Sequence, residues 1–380
     1  MNASSLPRAT RLLDFAVRDA ILLSTTMNLI DDTIAAVRPL DEEEAWAADA
    51  RLGSLTKPPG SLGYLEELVR RYAAIRRDGN ARWGGGAIAV FVADHGVAEA
   101  NVSAFPQAVT VEMLKNIAGG GAAISVLARR FGYELRTIDV GVKIDTSAAP
   151  LAGVTYRRVG AGTRNLLSGP AMTIDETCRA LEIGIEVARE LADKGATILG
   201  TGEMGIANST PAAAILAVLT GIEPASIVGR GTGLDDLGLR RKVEVVVRAL
   251  ELHRSAFGDG VSILAAIGGF EIAALAGFCI GGAAANVPVV VNGFISTAAA
   301  ASAIKICPRV ADHLIFSHRS AEGGHALVLE HLRVRPVLNL DLRLGEGTGA
   351  ALAMNVIESA LDLFHNMATF AAAGVSGKVR

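Results

Sequence analysis

A single glutamate, Glu346, lies between Gly345 and Gly347 in the stretch RLGEGTGAALAM. Glycine has no side chain, so the backbone beside this carboxylate can come close to a ligand. That suits a general base, which must touch the proton it removes. A second interpretation is an acid that interacts with the dipole of a helix from Thr348 onward, which would lower its pKa. The sequence alone leaves both interpretations open.

The glycine-rich segment GTGEMGIANSTPAAA precedes a helical pattern that ends at Gly221. Gly200, Gly202 and Gly205 satisfy G-x-G-x-x-G, the pattern of dinucleotide-binding loops. A dinucleotide fold also needs a second strand ending in an acid about twenty residues later, and the sequence shows no such pattern. The loop therefore predicts one phosphate held by backbone amides and by the helix after Thr210. A glycine-rich turn that binds no ligand is the alternative.

Two charged residues accompany this loop. Glu203 lies within it and would repel a phosphate unless it points elsewhere, for instance at a ribose hydroxyl or a cationic ring. Lys242, in LRRKVEVV, is a candidate phosphate contact. The alternative for Lys242 is a solvated lysine on a helix surface.

The histidines and their neighbours give less specific evidence of a functional site than the glycine-rich segments do. Asp94 and His95, in ADHG, follow a predicted strand, and we interpret them as structural groups that hold the next loop by hydrogen bonds. A metal site or an acid–base pair is the alternative for these two. His318 and His325 do not share a helical face with a third ligand, so the sequence predicts no metal site.

The candidate residues must be positioned by a folded domain, and the sequence indicates one between about residues 87 and 339. Short β-branched runs alternate there with longer alanine-rich helical patterns, which predicts an α/β fold with a doubly wound, mostly parallel, Rossmann-like sheet. Ligands bind such sheets at the carboxyl ends of the strands. The best strand candidates are AIAVFVAD, ELRTIDVGV, ATILGTG, VPVVVNGF and HLIFSH.

Both ends of the chain are predicted to be helical. Residues 27–86 contain helices broken at KPPGSLG, and residues 350–380 contain one or two more. We expect these segments to form a small helical lobe beside a catalytic domain over residues 87–349. Residues 1–26 precede Met27 and are interpreted as an extension of uncertain origin.

The composition of this 380-residue chain limits the kinds of molecule that it is expected to bind. The 36 basic and 39 acidic residues nearly cancel, and no block of five like charges occurs, so we expect no nucleic-acid binding and a small-molecule partner. No cofactor is predicted. Cys178, Cys279 and Cys307 are far apart in sequence, which suits a reducing compartment and predicts a cytoplasmic protein.

The most apolar run, Ile272 to Val291, contains no charged residue. It could be taken for a membrane span, but Pro288 divides it. We therefore predict a buried helix followed by a buried strand, and no membrane span.

Nine segments together resemble one family. They are KPPGSLG, ADHGV, SAFPQAVT, GGGAAISVLAR, GEMGIANSTPAAA, GGFEIAALAG, NGFISTAAA, SHRSAEGG and LRLGEGTGAALAM. In order and spacing, from about Leu55 to Met367, they resemble the nicotinate-nucleotide:dimethylbenzimidazole phosphoribosyltransferases. That family makes the lower-ligand nucleotide of cobamides from nicotinate mononucleotide and a benzimidazole base, without an essential metal.

The resemblance implies roles for individual residues. Glu346 matches the general base that takes the benzimidazole proton, and a carboxylate at Glu203 would stabilise positive charge on the ribose. Phe105 and Met113 match the pocket for the aromatic base. The remaining matches are nucleotide, phosphate and ribose contacts at Gly202, Gly205, Asn208, Lys242, Ser317, Gly345 and Gly347.

One position departs from the family. Family members usually carry Asp-Gly-Phe where this chain has Asn292, Gly293 and Phe294, so a negative charge near the expected substrate site is absent. Two other functions stay open: a transferase that uses another base, such as a purine or a phenol, and a non-catalytic nucleotide-binding protein. The resemblance also implies a homodimer.

Overall fold

The computed structural model describes residues 29–376. The predicted extension over residues 1–26 lies outside the described residues. Residues 29–36 form a short helix ahead of the elements named below.

The described residues form one parallel sheet of six strands in the order β3-β2-β1-β4-β5-β6. The strands are β1 Gly86–Ala93, β2 Glu134–Gly141, β3 Val154–Tyr156, β4 Ile198–Met204, β5 Val289–Val291 and β6 Leu314–Phe316. This is the order of the doubly wound dinucleotide-binding fold, in which the order reverses between β1 and β4. The predicted fold class is confirmed.

Helices flank the sheet. They are α1 Glu42–Ser54, α2 Tyr64–Arg76, α3 Val109–Ala118, α4 Ala123–Phe131, α5 Ile174–Asp193, α6 Ser209–Thr220, α7 Pro224–Ile227, α8 Asp236–Leu252, α9 Gly260–Ile267, α10 Phe270–Ala284, α11 Phe294–Ile306, α12 His325–His331, α13 Thr348–Asn366 and α14 Phe370–Ala373. Short 3₁₀ helices cover Gly96–Ala100, Arg254–Ala256 and Pro308–His313.

Strand β1 shows how two hydrophobic layers arise. All eight of its residues are buried, as expected for a strand covered on both faces. Because side chains alternate along a strand, Phe91 packs into one cluster, with α5, α10 and α11, while Ile88 and Val90 pack into the other.

The terminal helices lie on the second face. Helix α13 packs on α2, and Arg51 of α1 donates through Nε to the carbonyl of Phe364 at 3.0 Å. Their apolar side chains share one cluster with Ile88 of β1. The N- and C-terminal segments therefore cover the sheet together.

Five of the six strands coincide with the runs predicted from sequence, and β3, a three-residue strand, was not predicted. The apolar run up to Val291 is divided between α10 and β5, as predicted. Across residues 29–376, we find no helix that combines the length and apolar character needed to cross a membrane.

Candidate active site

A cavity of about 300 Å³ opens at the carboxyl edge of the sheet. Its walls are loops that follow strands β1, β4, β5 and β6, together with the segments that precede helices α8 and α13. The lining residues fall within the ranges 102–105, 203–209, 231–232, 293–295, 318–322 and 343–345. The site therefore lies where the fold places ligands.

The loop after β4 lies against neighbouring backbone. A Cβ at Gly205 would lie 2.4 Å from the carbonyl oxygen of Ala93, and a Cβ at Gly202 would lie 2.5 Å from the carbonyl oxygen of Glu346. Gly205 lines the cavity, whereas Gly202 makes room for the Glu346 loop. The glycine pattern thus serves close backbone packing as well as the cavity.

Glu203 is a buried acid of the cavity wall. Its Oε2 accepts a hydrogen bond from Asn208 Nδ2 at 2.5 Å. Burial, and then the nearby carboxylates of Glu271 and Glu346, raise the pKa of Glu203 to about 7, against the opposing hydrogen bond from Asn208. A group of this kind can change protonation near neutral pH.

A buried ion pair lies behind this acid. His95 Nε2 and Glu271 Oε1 are 2.6 Å apart, and both side chains are at most 1% exposed. Burial lowers the pKa of His95, but Glu271, with smaller contributions from Asp94 and Glu203, raises it, and the net shift is upward. Asp94 Oδ2 accepts from the Lys143 backbone N–H at 2.8 Å, so it ties together the loops after β1 and β2. This contact fits the structural interpretation of Asp94.

The segment that carries Glu346 has an unusual backbone. Gly345, Glu346 and Gly347 have φ angles of 88°, 62° and 102°, all in the left-handed region. A Cβ at Gly345 would lie 2.6 Å from Glu203 Oε1, so only glycine lets the two acids' loops meet. Glu346 itself is a non-glycine residue held in this region, a kind of strain found at functional sites.

Glu346 is 5% exposed, and its carboxyl Oε2 is buried without a hydrogen-bond partner. Burial raises the pKa of Glu346, while a hydrogen bond from the backbone N–H of Ile124, in the first turn of α4, lowers it. The net shift is upward, which is opposite to the shift expected for a simple acid at the start of α13. Gly345 lines the cavity, and Glu346 follows it directly.

Lys242 is fully buried, so its interpretation as a solvated helix lysine is wrong. Its Nζ donates to Ser209 Oγ at 2.8 Å and to the carbonyl of Gly229 at 3.1 Å. Burial lowers the pKa of Lys242 to about 8. Because an ammonium only donates, Ser209 keeps its own hydroxyl proton for a ligand in the cavity that it lines. Lys242 can therefore act on an anion through Ser209.

Asn292 and Ser317 lie beneath the cavity wall and are not among the lining residues. Ser317 Oγ donates to the carbonyl oxygen of Asn292. Asn292 Oδ1 accepts from the backbone N–H of Ala350, in the first turn of α13, at 3.1 Å, whereas Asn292 Nδ2 is buried without a partner. In this structure both residues support the loops that form the wall.

The two residues predicted for an aromatic-base pocket are separated in the structure. Phe105 lines the cavity and is 51% exposed. Met113, in α3, lies outside the lining and packs against the hydrophobic cluster that contains Ile124. Met204 lines the cavity and also packs against that cluster, so it connects the two regions.

Several polar lining residues were missed from sequence. Glu322 Oε1 accepts from the Gly231 backbone N–H at 2.7 Å, and Thr232 Oγ1 accepts from the Ala104 backbone N–H at 3.2 Å. Glu322 belongs to the motif SHRSAEGG, in which no role was predicted for this residue. Thr232 stands between glycines in RGTG, a signal that could have marked it.

Comparisons with known proteins agree on one family. The DBI_PRT model, described as phosphoribosyltransferase, matches residues 37–375. A relative from Chlorobaculum parvum, named nicotinate-nucleotide–dimethylbenzimidazole phosphoribosyltransferase, is 47% identical over 345 residues, which are 91% of this chain and 97% of the relative. A relative of the same name from Pelodictyon phaeoclathratiforme is 50% identical over 342 residues, 90% of this chain and 96% of the relative.

This chain belongs to the nicotinate-nucleotide–dimethylbenzimidazole phosphoribosyltransferase family. The crystal structure of CobT from Thermus thermophilus matches it with a TM-score of 0.84 and 45% identity, covering 88% of this chain and 100% of that one. The resemblance inferred from the motifs is thereby confirmed.

Proposed function

We propose that this protein transfers the phosphoribosyl group of nicotinate mononucleotide to 5,6-dimethylbenzimidazole, giving α-ribazole 5′-phosphate and nicotinate during assembly of the cobalamin lower-ligand nucleotide. Relatives of that enzyme name at 47% and 50% identity support the proposal. The observation that carries it is one cavity lined by the buried acid Glu203, with the buried Glu346 directly after the lining Gly345 and a buried lysine behind another wall.

The phosphate would lie at the wall formed by Ser209 and Gly231. A Cβ at Gly231 would lie 3.0 Å from Ser209 Oγ and 3.1 Å from Lys242 Nζ, so glycine leaves this approach open. Ser209 is also the first residue of α6, whose helix dipole favours an anion, although the backbone N–H of Thr210 already donates to the carbonyl of Ala207. A hydroxyl, the positive end of a helix dipole and a nearby ammonium therefore suit one phosphate.

Transfer breaks the bond between ribose C1′ and the nicotinate ring nitrogen. The bonding pair leaves with nicotinate, whose cationic ring nitrogen becomes neutral, so the leaving group needs no acid. Positive charge grows on the ribose as this bond lengthens, and the ionised Glu203 carboxylate stabilises that charge. A bound cationic ring and ribose also favour the ionised form of Glu203.

The acceptor forms the new bond from the opposite face of the ribose. One benzimidazole nitrogen donates its lone pair to C1′, and the N–H proton of the ring passes to Glu346. The unpartnered Oε2 of Glu346 and its raised pKa fit a proton acceptor in an apolar setting. Phe105 and Met204 supply apolar surface for the base at the cavity, and Met113 extends that surface beyond it.

The proposal includes a homodimer and a cytoplasmic location. Buried, free Cys178, Cys279 and Cys307 support a reducing compartment. Family membership supports the dimer, and light scattering of the purified chain tests it. A monomer at working concentration would contradict this part of the proposal.

A binding and turnover experiment tests the function. Nicotinate mononucleotide should raise the melting temperature more than NAD does at equal concentration, because the site offers one phosphate position. Added dimethylbenzimidazole should then release nicotinate and give a product with the mass of α-ribazole 5′-phosphate. Release only with a purine or a phenol would assign another acceptor, and binding without release under any acceptor would indicate a nucleotide-binding protein.

A further inference from the structure

His318 occupies a narrow slot at the cavity wall. A Cβ at Gly349 would lie 2.0 Å from His318 Nδ1, and a Cβ at Gly293 would lie 3.3 Å from His318 Nε2. The ring is therefore held between the starts of α11 and α13, at positions where neither neighbour carries a side chain. His318 is 2% exposed and lines the cavity together with Gly293.

Hydrogen bonding fixes which nitrogen of this ring carries the proton. Ser317 Oγ contacts the carbonyl oxygen of Asn292 and also lies 2.9 Å from His318 Nδ1. A carbonyl only accepts, so the single hydroxyl proton of Ser317 is directed at Asn292. Ser317 Oγ must then accept from His318, and Nδ1 carries the ring proton.

The other nitrogen is left as an acceptor. Burial lowers the pKa of His318 to about 4, so the ring is neutral at neutral pH and Nε2 has a free lone pair. Among the described residues, no hydrogen bond to His318 Nε2 is formed, although Ser317 binds Nδ1 of the same ring. An acceptor of fixed tautomer thus lies against Gly293, on a ring that lines the cavity.

We propose that His318 Nε2 accepts a hydrogen bond from a ribose hydroxyl of the bound nucleotide and so selects ribonucleotides over their deoxy analogues. This inference rests on the proposed function. In nicotinate mononucleotide near neutral pH, the carboxylate and the fully ionised phosphate are acceptors only, so the two ribose hydroxyls are its O–H donors. An acceptor with a fixed tautomer therefore matches the ribose.

The test measures dissociation constants by calorimetry for nicotinate mononucleotide and its 2′-deoxy and 3′-deoxy analogues. The parent should bind the ribonucleotide about 3–10-fold more tightly than one of the two analogues, the range expected for one neutral hydrogen bond. His318→Phe should bind that analogue and the ribonucleotide equally. His318→Gln, whose amide oxygen can accept, should keep part of the preference, and His331→Gln, a change at an exposed histidine of α12, should keep all of it.

Nitrogen-15 NMR of the parent tests the tautomer without any substitution. Its His318 spectrum should show a protonated Nδ1 and a bare Nε2, with the Nε2 resonance shifting when the nucleotide binds. A bare Nδ1, or an unchanged preference in folded His318→Phe, would overturn the inference. Failure of nicotinate mononucleotide to bind the parent would instead contradict the proposed function.

Discussion

Burial shifts pKa values in opposite directions at two walls of the cavity. At the acid wall Glu203 lines the cavity, and at the lysine wall Ser209 lines it in front of Lys242. Burial raises the pKa of Glu203 to about 7, with Glu271 and Glu346 adding to the rise, and burial lowers the pKa of Lys242 to about 8. Each wall therefore holds its charge less readily than a surface residue does. A ligand with an anion at one end and a developing cation at the other would stabilise both walls at once.

The two walls also differ in how they contact a ligand. At the lysine wall, Ser209 stands between Lys242 and the cavity, so charge acts through a hydroxyl. At the acid wall, Glu203 lines the cavity itself, and glycine at 345 lets the Glu346 loop reach it. We therefore expect substitutions at the acid wall to affect turnover, and substitutions at the lysine wall to affect nucleotide affinity.

The largest effect is expected at the acid wall with Glu346→Gln. Losing the proposed general base should lower turnover by about 10²–10⁴-fold. Stability should stay level or rise slightly, because a carboxylate without a full set of partners is costly to bury. Nicotinate release with saturating dimethylbenzimidazole measures the first effect, and urea unfolding measures the second.

Glu251→Gln, at an exposed glutamate of α8, is the matched control and should behave as the parent in both measurements. Glu346→Gln should still bind nicotinate mononucleotide, since the proposed phosphate position at Ser209 and Gly231 lies on other loops. Turnover within about threefold of the parent would remove Glu346 from the role of base, given the far larger loss expected for that role.

The second prediction concerns Glu203 and pH. Its pKa is raised from 4.5 to about 7 in the folded state. As pH rises through this window, the unfolded chain loses the proton first, so the contribution of this group to stability falls and then levels off above about pH 7. Glu203→Gln removes the effect, and its stability relative to the parent should rise by up to about 3 kcal/mol between pH 4.5 and 7.

Urea unfolding of the parent, Glu203→Gln and Glu251→Gln across this pH range measures the difference. The control should follow the parent at every pH. Parallel stability curves for the parent and Glu203→Gln would show that Glu203 titrates alike in the folded and unfolded chain, which would contradict its raised pKa.

Much of this arrangement could be predicted from local sequence, because β-branched runs mark β1, β2 and β4 and an acid between glycines is unusual. Strand β3 was missed because three residues at a sheet edge carry little periodicity. The pairing of His95 with Glu271 joins residues 176 apart in sequence, and no local pattern predicts it.

The role of Gly202 was also beyond sequence reasoning. The G-x-G-x-x-G pattern indicated a ligand-binding loop. In the structure, however, Gly202 is required because the carbonyl of Glu346 lies too close for a side chain. Local sequence specifies which backbone can approach closely, whereas only the fold specifies what approaches it. The same reasoning explains Lys242, whose helix pattern gave no indication that its amine is fully buried.

At the lysine wall, Lys242→Met should raise the KM for nicotinate mononucleotide by about 10–100-fold, the range expected for losing a charge-assisted interaction. Turnover at saturation should stay within a few-fold of the parent, because the acids are intact. Steady-state kinetics with varied nucleotide separate the two parameters. Lys305→Met, at an exposed lysine of α11, is the control. A large fall in turnover with an unchanged KM would contradict the expectation that the lysine wall affects nucleotide affinity and the acid wall affects turnover.

The smallest effect is expected from Asn292→Asp, which places the family's usual acid beneath the wall. An aspartate keeps the acceptor for the Ala350 N–H, removes the unpartnered Nδ2 and adds a charge at the start of α13 worth about 0.3–1 kcal/mol. Burying that charge opposes these gains. The net change in unfolding free energy should therefore stay within about 1 kcal/mol, because the favourable helix-start charge and the cost of burying it oppose each other.

Turnover of Asn292→Asp should rise, because a carboxylate one residue from the cavity-lining Gly293 would stabilise positive charge on the ribose. A gain below about tenfold is expected, since a single charge acting across a protein interior near solvent contributes on the order of 1 kcal/mol. The measurement is turnover across a panel of benzimidazole acceptors. Asn292→Ala separates the two roles of this side chain, because it removes the α13 contact without adding charge and should lose stability. Unchanged turnover and acceptor ranking in Asn292→Asp would show that the charge of this position does not reach the reaction, and that Asn292 acts through the start of α13 alone.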